Sequence, residues 1–124
     1  MESIKNLLSR PDVQPLLDAV TELRFNAIPK EYQEKFDDEA YYWDVVVTNH
    51  GKPDAWSVSH RGKVYDINLE SEHEPQPSSR SDSFLLRFRF NLSDALDIAE
   101  RVAPIVKTNG LTAEGFVSFN KEYL

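Results

Sequence analysis

Between Tyr41 and Phe90, apolar side chains alternate with polar ones and turn residues interrupt them at regular intervals. An extended chain points successive side chains to opposite faces, so a period of two specifies a half-buried sheet. Tyr41 to Thr48 is aromatic and β-branched and predicts the first strand, followed by a turn over Asn49-His50-Gly51-Lys52-Pro53-Asp54. Ala55 to His60 and Lys63 to Glu70 predict strands two and three, joined by a tight hairpin at Arg61-Gly62. Ser71 to Asp82 holds two prolines, four serines and no aliphatic residue, the composition of a long exposed loop. In Ser83 to Phe90 the residues Phe84, Leu86, Phe88 and Phe90 alternate with Leu85, Arg87 and Arg89, which predicts a fourth strand.

Outside this region the period changes. From Ser3 to Phe25 apolar residues recur every three or four positions, and Ser9 with Pro11 resembles a helix start, so the main helix is expected at about 10–25. Ala27-Ile28-Pro29 ends it, and Lys30 to Phe36 reads as one or two polar helical turns. Asn91 or Ser93 caps a further helix running to about Thr108, stopped by Asn109-Gly110, and Leu111 to Asn120 reads as a returning strand. The expected architecture is one α+β domain over residues 1–124. Its sheet is a mostly antiparallel β-meander of four to five strands with helices packed on one face, in the order α-β-β-β-β-α-β.

A chain of 124 residues with 40% hydrophobic residues can support one core without outside help. There is no cysteine, which rules out disulfides and thiolate metal sites. No apolar run reaches the roughly 18 residues of a membrane span, and the first residues lack a signal-peptide core, so a cytoplasmic location is expected. The net charge of −7 repels phosphate backbones and anionic membranes, so neither nucleic acid nor membrane is an expected partner. The charge is uneven: residues 1–50 hold ten acids and five bases, residues 51–124 eleven and nine.

Chemical motifs are scarce. There is no Gly-x-Ser-x-Gly elbow and no phosphate-binding glycine loop, and His50, His60 and His73 lack metal-ligand spacing. No catalytic residue, metal or cofactor is therefore assigned, and the chain is not expected to be an enzyme. If the sheet buries one face, the other displays Asp44, Asp66, Arg87 and Arg89, with His60 at the hairpin. Two guanidiniums there would suit a carboxylate or phosphate, although a ladder of cross-strand ion pairs would look the same.

The second candidate surface is the acidic segment Glu31, Glu34, Asp37, Asp38 and Glu39, with Tyr32 and Phe36 interleaved and Tyr42 just beyond. Carboxylates accelerate encounter with a cationic surface, and aromatics anchor the complex that forms. These residues are expected to bind another protein, a basic one such as a toxin or nuclease, and to inhibit it by covering its active cleft. In size, acidity and fold class the chain resembles bacterial immunity proteins, and no motif adds to that likeness. The rival expectations are self-association, as a homodimer or within a larger assembly, and a small-ligand site or enzyme built on the Arg87/Arg89 face.

Overall fold

The computed structural model describes residues 10–11 and 20–121 of the chain. Its centre is a five-stranded antiparallel meander: β1 (Glu22–Asn26), β2 (Asp44–Asn49), β3 (Trp56–His60), β4 (Lys63–Tyr65) and β5 (Ser71–His73), in that spatial order. Four α-helices complete the described fold: α1 (Lys30–Lys35), α2 (Asp82–Phe88), α3 (Leu92–Val102) and α4 (Ala113–Phe119). The α+β class and the antiparallel meander are as expected from the sequence, while several individual elements differ.

Register explains the core. Leu23 lies opposite Val47, Phe25 opposite Val45, and Val47 opposite Val58, so these side chains share one face. Val45, Val47 and Val58 are completely buried there beneath α3, which supplies Ala95, Ile98, Ala99 and Val102. Asn91 caps α3 by accepting the Asp94 backbone N–H at 2.8 Å. The helix ends at Val102, short of the expected Thr108: Ala103 still holds helical geometry, but Pro104 has no N–H with which to continue the hydrogen-bond ladder.

The opposite face carries a smaller cluster, Val64 with Phe84 and Phe88 of α2. Val64 pairs with Ser59, one step out of phase with Val58, which places it on that side. The expected strand at Ser83 to Phe90 is thus a helix. Phe84 and Phe88 stand one helical turn apart, their rings 4.8 Å apart, and the Ser81 hydroxyl caps the helix by accepting the Phe84 N–H at 3.1 Å. Strand geometry survives only at Phe90, which exchanges two 2.9 Å backbone bonds with Trp56.

Other expectations are corrected as well. Most of the expected helix at 10–25 lies outside the described residues, but its end is β1, because Leu23 and Phe25 pair with the Val45/Val47 ridge. Tyr41 to Trp43 belongs to a 3-10 turn, Ala40–Trp43, before β2. Leu111 to Asn120 is not a strand: Thr112 caps α4 by accepting the Gly115 N–H at 3.1 Å. The strand expected over Lys63 to Glu70, which is β4, also stops early, at Tyr65, because Asp66 folds the chain back. Its carboxylate accepts the N–H groups of Asn68 and Glu70, each at 2.9 Å, and β5 forms inside the expected loop.

Candidate functional site

The acidic segment begins at Pro29, where α1 starts, passes through the turn at residues 36–39 and ends in the 3-10 turn. Glu31, Glu34, Asp37, Asp38 and Glu39 are all exposed, and none forms an ion pair with a described residue. The segment is held from beneath by its aromatics. Tyr32 and Phe36 are half-buried, and Phe36 meets the Phe116 ring edge to face at 5.0 Å. Phe116 in turn lies 4.4 Å from Trp43, whose indole N–H donates to the Leu111 carbonyl at 2.9 Å. These contacts mount five carboxylates on a packed base.

The structure brings together the five carboxylates that the sequence singles out, with a different aromatic at the surface. Tyr42 is half-buried, with Tyr41 on one side at 4.2 Å between centroids and the Arg61 guanidinium over its ring at 5.0 Å. Tyr41 is the accessible ring, 57% exposed. The adjacent Tyr42 hydroxyl, then loss of hydration, raise the Tyr41 pKa above the usual tyrosine value, so its ring is neutral near pH 7. Strand alternation hid this residue; the 3-10 turn, which the aromatic run masks, turns it outward.

The second set of candidates does not form one site. Asp44 accepts from Asn26 Nδ2 at 2.8 Å and lies 3.5 Å from Arg24. His60 is buried on the α3 side of the sheet, donating from Nε2 to the Tyr42 carbonyl at 2.8 Å. Asp66 and Arg87 do meet, Nε donating to the carboxylate at 2.8 Å, while the other guanidinium nitrogens reach Glu72 at 2.7 Å and Glu70 at 3.2 Å. Arg89 donates to Glu74 at 2.6 Å and to the Phe88 carbonyl at 3.1 Å. The other Glu74 oxygen faces Arg80 Nε at 3.2 Å, an ion pair without hydrogen-bond alignment. Both forks are thus filled by the chain's own carboxylates, and their geometry fastens α2 to the β4–β5 hairpin.

The hydrogen bonds to Asp66 fix its charge state. Burial, the largest single influence, favours the neutral acid, but the Arg87 N–H and the backbone N–H groups of Glu70 and Asn68 together outweigh it and hold the pKa below the usual carboxylate value. Asp66 is ionised wherever the domain is at work near neutrality.

A groove of about 650 Å³ runs between the β2–β3 turn and α2, bordered by His50, Lys52, Arg80, Leu85 and Arg89. His50 Nε2 lies 2.9 Å from the Ser57 hydroxyl, a pair invisible in the sequence because its members sit on opposite arms of a hairpin. Burial, then the nearby Arg89 charge, lower the His50 pKa, so the imidazole is neutral at pH 7. Ser57 is only 3% exposed, however, so the contact satisfies a buried hydroxyl and offers no accessible nucleophile. Among the described residues no group of three or more histidine or acidic side chains is placed to hold a metal ion, and no helix is long and apolar enough to cross a membrane. No protein-family model, curated protein or solved structure gives a significant match to this chain.

Proposed function

We propose that this domain is a cytoplasmic protein-binding module without catalytic activity, acting as an inhibitor of a basic partner such as a toxin or nuclease. One observation carries the reading: five exposed carboxylates within nine residues, none in an ion pair with a described residue, stand beside the exposed Tyr41 ring. Unpaired like charges repel one another, so their juxtaposition weakens the free domain slightly and is relieved when a cationic surface docks. Tyr41 supplies the apolar anchor that long-range charge cannot, and the packed Phe36–Phe116–Trp43 base spares the complex the entropy cost of ordering the segment. Inhibition follows if the carboxylates enter the partner's substrate cleft, where they occupy the place of an anionic substrate.

The test is affinity capture from the native host at low and at moderate salt, using the wild-type chain and a variant with Glu31, Glu34 and Glu39 changed to Gln and Asp37 and Asp38 changed to Asn. A single basic partner is expected with the wild-type chain, weakened by salt and lost in the variant. The variant should unfold at a denaturant concentration no lower than the wild type's and slightly higher, since every altered side chain is exposed and the charges removed repel one another. Capture of nothing at low salt, or capture undiminished in the variant, would overturn the reading. Self-association is the rival reading, and a solution mass distinguishes the two.

A further inference from the structure

On a chain of net charge −7, one hollow is bordered by three cations and no carboxylate. Its floor comes from the β3–β4 hairpin. Arg61 and Gly62, with φ of 50° and 84°, make the tight turn that pairs His60 with Lys63, and the same ladder sets Tyr65 opposite Ser71. Cross-strand partners share a face, so His60, Lys63, Tyr65 and Ser71 all stand on the side that α3 covers. Beyond the end of α3 the chain crosses this edge and adds Ile105 and Lys107. The depression is open to solvent, with a volume of about 420 Å³.

Its inner wall is fixed. His60 is 5% exposed, and the Tyr42 carbonyl that accepts its Nε2–H at 2.8 Å also accepts the Thr108 hydroxyl at 2.8 Å. Arg61 is steadied over the Tyr42 ring. Arg61, Lys63 and Lys107 form no ion pair with a described residue, in contrast to Arg87 and Arg89, which the domain neutralises for itself. Three unneutralised cations around one hollow repel each other, and an anion held among them reverses the sign of that energy. One guanidinium and two ammonium groups border the hollow beside the Tyr65 and Ser71 hydroxyls, which bond each other, and this excess of cationic donors suits a doubly charged tetrahedral oxyanion better than a planar, singly charged carboxylate. Ile105, 46% exposed, gives the rim an apolar side.

We propose that this hollow binds a phosphoryl dianion, either free or as a small monoester. A nucleic acid strand is a poorer fit, because phosphates beyond the hollow would meet the acidic surface.

Calorimetric titration of the full chain with inorganic phosphate, phenyl phosphate and acetate, at constant ionic strength, tests the proposal. Phosphate and phenyl phosphate should bind and acetate should not. The exposed-lysine variant Lys63→Gln/Lys107→Gln should bind at least about tenfold more weakly, whereas Lys35→Gln/Lys52→Gln should match the wild type. Tighter binding of phenyl phosphate than of phosphate would identify an organic monoester, with Ile105 contacting its body; equal binding would identify the free ion. Equal responses to acetate and phosphate, no binding to either phosphate, or unchanged affinity in the Lys63→Gln/Lys107→Gln variant would each overturn it.

Discussion

Replacing Trp43 by alanine is expected to lower unfolding free energy by about 3–5 kcal/mol, the range for removing a large buried aromatic. The side chain is 3% exposed, stacks on Phe116 at 4.4 Å and donates to the Leu111 carbonyl at 2.9 Å. Its loss opens a cavity under α4 and removes one of the two donors to that carbonyl, which keeps the Thr108 N–H at 2.9 Å. For a domain with a typical total of about 5–15 kcal/mol, this is a large share. Trp43→Phe separates the two contributions: most of the apolar contact remains, and the loss should shrink toward the roughly 1 kcal/mol of a single hydrogen bond plus a partial cavity. Denaturant titration measures both. A loss below about 1 kcal/mol in the alanine variant would show that the ring does not hold the domain together. Because Phe116 also carries Phe36, the same variant should loosen the acidic segment and weaken partner capture without removing any charge.

Asp66→Ala is expected to cost about 2–3 kcal/mol, because it strands two backbone donors and one guanidinium bond at a side chain only 5% exposed. Its pH dependence carries a definite sign. The folded pKa of Asp66 lies below the unfolded value of about 3.9, so the native state holds this proton less tightly than the unfolded chain does. The corresponding stability is complete above the unfolded pKa and disappears as pH falls through the folded one. The gap between wild type and Asp66→Ala should therefore be constant near neutrality and narrow in strong acid, below about pH 4. Denaturation curves at a series of pH values decide this. A gap independent of pH would mean that Asp66 acts through its shape alone.

The sheet was legible in the sequence where β-branched residues faced each other, as at Val45, Val47 and Val58, since burial of one face leaves one workable register. Ser83 to Phe90 misled because a spacing of four satisfies both a strand and a helix, so Phe84 and Phe88 fit either. Ser81 followed by Asp82 was the deciding local signal, a cap and an acid at a helix start. Thr112 played the same part for α4. The five carboxylates of the acidic segment are exposed, as their density in the sequence implied. Tyr41 and the Lys63/Lys107 hollow were hidden for different reasons: one depends on a local 3-10 turn, the other on a lysine 44 positions away in the chain.

The two hydrophobic clusters divide the molecule into regions of unequal cooperativity. α3 rests on a broad core, whereas α2, seven residues long, rests on Val64, Phe84 and Phe88 and is otherwise fastened by the ion pairs of Arg87 and Arg89. Opening α2 exposes little apolar surface, so it costs less than unfolding the sheet and depends on conditions in its own way. Amide exchange in α2 should accelerate in concentrated salt, while α3 keeps the protection of the global transition. The domain thus holds one unit that is released by charge and another that is released only by loss of its core.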